Sequence, residues 1–559
     1  MPTPGQDGQP APAPAHDAHA HHVGFLAAAI RVVSGLTLLS RFAGLARDVL
    51  TARLFGDGAV GSAFRAAYAL PNFFRRLFGE GALSAAFLPE YTLLVRDDPH
   101  RASALASRVV YLVALATGAI TLLAEGGILL RLALWPAGEE LTMSLRLIML
   151  MLPMMPLVCI TAVMAGMLQA HGRFAVPAAG PIVLNLFQIA AGALFYVGVL
   201  SGRTLASYVV GAAAVLATAA TVLWSLHALR GKVTWTRGFL SAHEAGKRVL
   251  QRFIPAVLGL GTLQLNTMID TVIAMWPMWI GATMFGHATP LDKGSNAILS
   301  YTQTLYQFPL GVFGIAVATA VFPLLSRASD KPDEFLAHLR RGVRLSLFIG
   351  LPASIGLILV RHDLVGVIFG GGRKSFTDDG LARCAAVLLG FAPAVWVYSL
   401  NHVLTRAYYA KGDTRTPMRI AIACVGLNIT LNFTLIWSLR EAGLAWATAC
   451  SAAVQCVLLQ VFLYRRLSVR LWDADTLRAV ARTLLVALLM GACVVLVFRL
   501  FPPAERWSQK LPRLAACVAA GGLSYAALAL LLRTPELRWL TRRAPAGAGK
   551  DGMGGMSFE

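Results

Sequence analysis

Long runs of apolar residues, each long enough to cross a bilayer, follow one another along most of the chain. A membrane-spanning helix needs about 20 mostly apolar residues, and the 559-residue sequence contains about fourteen such runs. The links between them are short and leave no room for a soluble catalytic domain. We therefore predict an all-α polytopic membrane protein. The predicted spans are 25–54, 58–89, 104–134, 141–170, 175–200, 205–229, 249–280, 296–325, 341–369, 378–410, 416–438, 441–465, 477–501 and 511–533.

Two pairs of motifs recur at similar offsets. AHGRFAVP (170–177) and AKGDTRTP (410–417) share A-x-G-x4-P, and LPNFFRRLFGEGALSAAFLP (70–89) resembles FPLGVFGIAVATAVFP (308–323). Each pair keeps the same span parity, which predicts two parallel six-helix lobes related about the membrane normal, followed by two further helices. The predicted units are an N-lobe (24–229), a basic linker (230–248), a C-lobe (249–466), helices 13 and 14 (467–534), and disordered tails at 1–23 and 535–559.

The charged residues are few and unevenly placed. Only 14% of residues are charged, against about a quarter in soluble proteins. The net charge of +21 would suggest nucleic acid in a soluble protein. Here the basic residues concentrate in the links after the sixth, eighth and twelfth spans, so we predict no nucleic acid and both termini in the cytoplasm. The link 502–513 is an exception, because it carries three basic residues on the opposite side.

Two further features predict no metal site. The segment 1–22 contains four histidines among Pro and Ala, and a low-complexity tail is favoured over a metal site. The seven cysteines lie in apolar stretches without CxxC spacing, so we expect buried thiols and not disulfides or metal ligands.

Ionisable residues inside the first two spans are the most informative. Each arginine at mid-span costs roughly 2.5 to 3.5 kcal/mol. Arg76 and Glu80 can pair at i,i+4, and Arg41 or Arg47 can satisfy Asp48, which leaves three arginines without a local carboxylate. The surplus predicts a wet cavity for a phosphate ester, because guanidinium groups bind phosphate bidentately. The intramembrane set is Arg41, Arg47, Asp48, Arg65, Arg75, Arg76 and Glu80.

At these residues a family resemblance emerges. SRFAGLARD (40–48), the 70–89 motif, FPLGVFGIAVATAVFPLLS (308–326) and GDTRTP (412–417) resemble the MurJ (MviN) family of lipid II flippases, over roughly residues 25 to 530. That family belongs to the superfamily of MATE exporters and Wzx-type flippases. The resemblance implies two six-helix lobes around a V-shaped cavity, with helices 13 and 14 forming a groove for the lipid tail.

The resemblance also implies a function in cell-wall biogenesis. A member would move lipid II, the undecaprenyl-pyrophosphate-linked peptidoglycan precursor, between the leaflets of the bacterial inner membrane by alternating access. Its partners would be that substrate and membrane lipid, with the cell-wall synthesis machinery as a further candidate. It would be no enzyme and would need no cofactor, and coupling to membrane potential, a proton or sodium is left open.

The family's site residues fall on named positions of this chain. The substrate-binding arginines fall on Arg41, Arg47 and Arg75, with Glu80 in the following acidic position. We add Arg65, which we expect to replace a family lysine where this chain has Ala69; the alternative is that the Arg65 side chain extends to the nearby external membrane interface. The cavity or gate set is Asp48, Ser62, Gln303, Thr304 and Gln307.

Four positions of that gate depart from the family pattern. Ser62 stands in place of an aspartate, and Gln303, Thr304 and Gln307 in place of an aspartate, an arginine and a glutamate. We expect Ser62 and Thr304 to form a neutral contact between the lobes where the family has an ionic one.

Other functions are weighed against these residues. A flippase for another lipid-linked oligosaccharide is equally compatible with an arginine cavity, and the substitutions in the eighth span leave open a member that has lost transport. A drug/cation antiporter should carry acidic residues there, and a membrane glycosyltransferase needs an acidic residue on a sizeable external loop. Only Glu139 and Glu140 are candidates for such a residue, and loop solvation is the simpler interpretation. Asp270 is a candidate cation or proton site, with a satisfied polar contact as the favoured alternative.

The topology can be tested by thiol labelling. Gly138→Cys should react with an impermeant thiol reagent added from outside, and Asp333→Cys should not, because the basic links are retained in the cytoplasm. The reverse labelling pattern would overturn the orientation.

Overall fold

Nearly all of the described chain is helical. The structure is a computed structural model that describes residues 15–77, 83–371, 376–502 and 506–541. A two-stranded antiparallel hairpin, β1 (Thr283–Met284) and β2 (His287–Ala288), interrupts the helices. The helices are α1 (Ala15–Phe55), α2 (Ala59–Leu77), α3 (Leu83–Asp97), α4 (Pro99–Leu134), α5 (Glu139–Met151), α6 (Met154–Ala170), α7 (Ala175–Tyr196), α8 (Arg203–Leu229), α9 (His243–Ala274), α10 (Trp276–Trp279), α11 (Ser295–Pro309), α12 (Ile315–Arg327), α13 (Pro332–Phe369), α14 (Asp378–Phe391), α15 (Val395–Ala410), α16 (Arg415–Leu439), α17 (Glu441–Leu467), α18 (Ala474–Leu500), α19 (Trp507–Leu531) and α20 (Pro535–Thr541).

Each predicted span coincides with one helix or with consecutive helices. Within the described ranges, eleven helices are long and apolar enough to cross a membrane, which confirms a polytopic membrane fold. The other three predicted spans coincide with α1, with α2 and α3 together, and with α9. The first two of these carry the intramembrane arginines, and their charge lowers their hydropathy. The number fourteen stays a prediction.

The eighth predicted span changes its pattern of backbone hydrogen bonds near its middle. It consists of α11, a π-helical segment at Leu310–Gly314, and α12. Pro309 has no amide hydrogen to donate, and the two glycines of the segment add flexibility. A β-carbon at Gly311 would overlap the Arg41 guanidinium. The glycine therefore lets α1 approach this segment closely.

The buried apolar side chains form separate cores in the first and second halves of the chain. Among the described side chains, two core clusters come almost entirely from α1–α9 and two from α9–α18. Ala52 packs into a core of the second half, and Met275 and Met278 pack into a core of the first half. These exchanged residues mark the seam between the lobes.

The repeated motifs fold into matching turns. Gly172 and Gly412 have φ angles of 72° and 75°, which a glycine adopts without steric cost. In each turn the amide of the next residue donates to the carbonyl oxygen five residues back, at 2.8 Å and 3.0 Å respectively. This is the Schellman arrangement that ends a helix. The shared geometry supports the parallel repeat.

The predicted disordered tail at 1–23 is wrong in its last part. Helix α1 begins at Ala15 and continues without a break into the first predicted span. Residues added to an existing helix avoid the cost of nucleation, and the segment is rich in alanine. Residues 1–14 lie outside the described chain.

The predicted disordered tail at 535–559 also begins too early. Residues Pro535–Thr541 form α20, which packs on α13. Glu536 forms an ion pair with Arg344 at 2.6 Å, and the Arg341 guanidinium lies 4.5 Å from the ring centroid of Trp539. A helix of seven residues is too short to show a periodic pattern in the sequence, and its contacts come from another part of the chain.

The basic linker is shorter than the predicted 230–248. Helix α9 begins at His243, after a 3₁₀ turn at Phe239–Ala242. The backbone amides of Thr234 and Thr236 donate to serine hydroxyls on α4 at 3.3 Å and 3.1 Å. The linker therefore packs along the N-lobe.

The exceptional basic link before α19 has a structural role. Arg513 forms two hydrogen bonds to Asp363 of α13, at 2.6 Å and 2.5 Å, and Asp363 is buried. The side chain of Lys510 lies beside Gly366 of the same helix. These side chains attach α19 to α13, so their charge does not report on the side of the membrane.

Candidate functional site

A cavity lies between α1 and α2 on one side and α9 and α11 on the other. Together with the open space at its mouth, its empty volume is about 850 Å³. The α1/α2 wall consists of Arg47, Asp48, Arg65, Tyr68, Ala69, Asn72, Phe73 and Arg76. The α9/α11 wall consists of Gln264, Thr267, Met268, Thr271, Ser300, Gln303, Thr304 and Gln307.

Two arginines share one carboxylate in this cavity. Arg47 Nη2 lies 2.9 Å and Arg65 Nη1 lies 3.1 Å from the same oxygen, Oδ1 of Asp48. The three side chains are only 13% to 16% exposed. Because one negative charge faces two positive charges, the cluster keeps a net positive charge. Of the two arginines expected to pair with Asp48, Arg47 does so and Arg41 does not, and Arg65 is an additional partner.

Neutral groups fix the other side of Arg47. Its Nη1 donates to the Tyr68 hydroxyl and to Asn185 Oδ1, both at 2.9 Å. Asn185 in turn donates to the Ser40 carbonyl at 3.1 Å, and a β-carbon at Gly44 would lie 3.5 Å from its amide nitrogen. The SRFAGLARD segment (40–48) therefore packs against the buried Asn185 side chain of α7 and forms hydrogen bonds to it near both ends of the segment. Sequence reasoning missed Asn185, since its signal is a single polar residue in an apolar run.

Arg65 reaches from one lobe to the other. Its Nη2 donates to the Ser300 carbonyl of α11 at 3.2 Å, and its guanidinium lies 5.0 Å from the centroid of the Tyr301 ring. The side chain thus points into the cavity and does not extend to the membrane interface.

The other predicted arginines lie around this cluster. Arg75 Nε donates to Asn72 at 2.9 Å, and Arg76 Nη1 donates to Gln264 at 3.4 Å. Arg41 lies against Gly311, outside the cavity lining, and has no acidic partner among the described residues. Glu80 lies outside the described residues. The structure therefore places Arg47 and Arg65 in the cavity, Arg75 beside it and Arg41 apart from it.

The predicted contact between Ser62 and Thr304 is wrong. The Ser62 hydroxyl accepts from the Ala297 amide at 3.0 Å, and its carbonyl accepts from Asn296 Nδ2 at 2.9 Å. Thr304 lies two turns further along α11 and donates to Ser300 of its own helix at 3.4 Å. Ser62 still forms a neutral contact between the lobes, as expected. Thr304, Gln303 and Gln307 line the cavity instead.

Two further contacts close the cavity at the end that holds Asp57, which we call the Asp57 end. Asp57 Oδ2 accepts from the Thr377 amide at 2.9 Å and from its hydroxyl at 2.6 Å, at the start of α14. Lys293, just before α11, pairs with Glu140 at the start of α5. The loop before α2 thus meets α14, and the loop before α11 meets α5, as a two-fold relation between repeats requires.

An ion-pair network holds the loop that precedes α11. Arg383 donates to Asp292 at 2.7 Å and to Glu441 at 2.6 Å, and Arg440 lies 2.9 Å from Asp292. Burial alone would raise the pKa of Asp292, but the Arg383 hydrogen bonds and nearby charges lower it below its usual range. Asp292 therefore stays ionised and keeps this loop in place.

An apolar groove runs beside the cavity. Residues of α1, α11, α13, α18 and α19 enclose an empty volume of about 1070 Å³. Thr304 faces the cavity, whereas its neighbour Leu305 faces the groove. On α1, Arg47 faces the cavity and Leu45 faces the groove. The cavity and the groove are therefore separated only by α1 and α11.

Asp270 lies in a separate, buried polar cluster. It accepts from Asn432 Nδ2 at 2.7 Å and from the Thr448 hydroxyl at 3.4 Å, and Asn428 accepts from Asn432 at 3.0 Å. A satisfied polar contact, the favoured alternative, is thus present. In the described part of the chain no group of three or more His, Cys, Asp or Glu side chains could hold a metal, and the seven cysteines are free.

Comparison with known proteins identifies relatives over most of the chain. The family model described as "Lipid II flippase MurJ" matches residues 51–510. A probable lipid II flippase MurJ of Vibrio cholerae is 30% identical over 522 residues, covering 90% of this chain and 95% of the relative. One from Rhizobium tropici is 31% identical over 495 residues, covering 84% and 87% respectively. The lipid II flippase MurJ of Burkholderia cenocepacia is 27% identical over 452 residues, covering 78% and 84%.

Solved structures share the fold. A lipid II flippase MurJ in an inward closed conformation aligns with a TM-score of 0.74 at 23% identity, covering 91% of this chain and 99% of that one. An inward-facing MATE family multidrug resistance transporter aligns with a TM-score of 0.62 at 15% identity, covering 79% and 98%. With the arginine cavity, the paired lobes and the match of the family model over residues 51–510, the chain belongs to the MurJ family of lipid II flippases.

Proposed function

We propose that this chain moves lipid II from the inner to the outer leaflet of the bacterial inner membrane. The observation that carries the proposal is the positive surplus around Asp48, inside a cavity that adjoins an apolar groove. An anionic headgroup joined to a long apolar tail fits both features at once. No covalent chemistry is required, since the barrier is the passage of a polar headgroup through hydrocarbon.

The arginines would hold the pyrophosphate. Arg47 and Arg65 share one carboxylate and keep a net positive charge, and Arg76 lies on the same wall. A phosphate oxygen can replace the neutral Tyr68 and Asn185 acceptors of Arg47 as a stronger, charge-assisted partner. We assign supporting positions to Arg75, which lies beside the cavity on α2, and to Arg41, which lies on α1 outside the cavity lining.

The tail would occupy the groove. Because Thr304 and Leu305, and likewise Arg47 and Leu45, face opposite sides of the same two helices, the junction between pyrophosphate and tail would pass between α1 and α11. The apolar chain then remains in contact with apolar side chains and lipid while the headgroup is in the cavity.

Alternating access would require the Asp57 end to open. That end is closed by the Ser62, Asp57 and Lys293 contacts, all of which join the two lobes. Asp270, a buried carboxylate whose described partners are neutral, is a candidate coupling site, although its contacts with Asn432 and Thr448 also account for it as a structural polar group. Binding of a proton or sodium there, or the membrane potential acting on the arginines, would supply the driving force.

Removal of the arginines should abolish function. In a strain depleted of its lipid II flippase, we expect Arg47→Ala and Arg75→Ala each to prevent growth while the protein stays inserted and abundant. Lysine at either position should rescue only in part, because it loses bidentate phosphate binding. Normal growth of either alanine variant at wild-type protein level would contradict the assignment. Failure of the wild-type chain to support growth would favour another lipid-linked oligosaccharide or a loss of transport.

Asn185 should act through Arg47. Asn185→Ala removes one neutral partner of the guanidinium and should slow growth in the same strain several-fold. Asn185→Asp has nearly the same shape, but a carboxylate 2.9 Å from Arg47 would neutralise the cation and should be the more severe change. Gln188→Ala, one turn along α7 and equally buried, is the matched control and should be silent. Equal defects for the alanine and aspartate variants would show a purely structural role.

The closed end should lock when it is cross-linked. In a chain without native cysteines, Asp57→Cys with Thr377→Cys should form a disulfide on oxidation and stop growth in the depleted strain. A reducing agent should restore growth, and each single-cysteine variant should be insensitive to oxidant. Growth of cells that carry the fully cross-linked protein would show that this end does not open.

A further inference from the structure

The two walls of the cavity differ sharply in charge. All ionisable side chains of the lining lie on the α1/α2 wall, which contributes Arg47, Asp48, Arg65 and Arg76. The α9/α11 wall contributes carboxamides, hydroxyls and one methionine. Both walls face the same space, so a ligand between them meets cations on one side and neutral hydrogen-bonding groups on the other.

We propose that the α9/α11 wall recognises the sugar and peptide part of the headgroup, with Gln303 and Gln307 as specificity-determining residues. This inference rests on the proposed function. It assigns the pyrophosphate to the α1/α2 wall and the sugar and peptide groups to the α9/α11 wall of the same cavity.

The chemistry of the carboxamides supports this assignment. A carboxamide offers two donors and an acceptor without charge, which matches the hydroxyl, acetamido and peptide groups of a glycopeptide. It gains less from a phosphate than a guanidinium does, because charge-assisted hydrogen bonds are about twice as strong as neutral ones. A pyrophosphate between the two walls is therefore drawn to α1/α2, and the uncharged remainder of the headgroup is left to face α9/α11.

The geometry of α11 supports the choice of residues. Gln303 and Gln307 are four residues apart, so they lie one turn from each other on the same face of the helix. Gln264 of α9 also lines this wall, but its carboxamide oxygen accepts from Arg76 at 3.4 Å and is tied to the charged wall. The α11 pair is the better place to separate recognition of the neutral groups from recognition of charge.

The test compares two ligands that share the pyrophosphate and the tail. Lipid II carries the disaccharide and peptide, and undecaprenyl pyrophosphate carries neither. Dissociation constants are measured on the purified full chain. Only variants whose melting temperature equals that of the wild type are compared. The wild type should prefer lipid II. The loss of one neutral hydrogen bond costs a factor of a few in affinity, so Gln303→Ala with Gln307→Ala should weaken lipid II binding about tenfold. Binding of undecaprenyl pyrophosphate should not change.

Two controls separate the possible results. Arg47→Ala should weaken the binding of both ligands. Gln169 is an exposed residue at the end of α6, and Gln169→Ala should change the binding of neither ligand. If the double variant binds both ligands more weakly by the same factor, or binds both as tightly as the wild type does, the assignment of the α9/α11 wall is overturned while the proposed function stands. If the wild type binds neither ligand, the proposed function is overturned and this inference with it.

Discussion

The arrangement of the cavity depends on a single carboxylate, Asp48, held between two guanidinium groups inside an apolar bundle. An unpaired charge in such surroundings costs several kcal/mol, so Arg47 and Arg65 are tolerated together because both reach Asp48 Oδ1. Tyr68, Asn185 and the Ser300 carbonyl accept further hydrogen bonds from them. The cluster is thereby preorganised, yet it lacks one negative charge, and an anionic ligand is the natural group to supply it.

The internal repeat shapes the closure of the cavity. Ser62 and Asn296 are 234 residues apart, an offset found between the repeated motifs, so equivalent positions of the two lobes meet each other at the seam. The Asp57–Thr377 and Lys293–Glu140 contacts join corresponding elements on either side of them. A contact between equivalent positions lies close to the axis that relates the repeats, and the outer two contacts lie on opposite sides of it.

The sequence predicts much of this architecture because long apolar runs and buried charges cost free energy in most other arrangements. Twenty-residue apolar runs have few alternatives to a membrane helix, and buried arginines need partners or water, which is why Arg47 and Arg65 stand out. Asn185 escapes notice because one neutral amide in a span costs little. The Ser62–Thr304 pairing fails because family positions do not fix the helix register. Thr304 lies seven residues beyond Ala297, or about 10 Å along α11 at 1.5 Å per residue. Helix α20 depends on Arg344 and Arg341, which are distant in the chain.

The Ser62–Asn296 contact at the seam is neutral, which suits a contact that must separate when the lobes part. Parting an ion pair in a low-dielectric interior costs far more than parting a hydrogen bond whose groups can turn to water. Ser62 and Asn296 form a contact of the second kind, and the Lys293–Glu140 pair is 54% and 42% exposed, so solvent screens it. The cations of the lining all lie on the α1/α2 wall, so an anion bound there remains with its countercharges when α9 and α11 move away. Opening the Asp57 end then separates little charge within the membrane, and its free-energy cost is set mainly by hydrogen bonds.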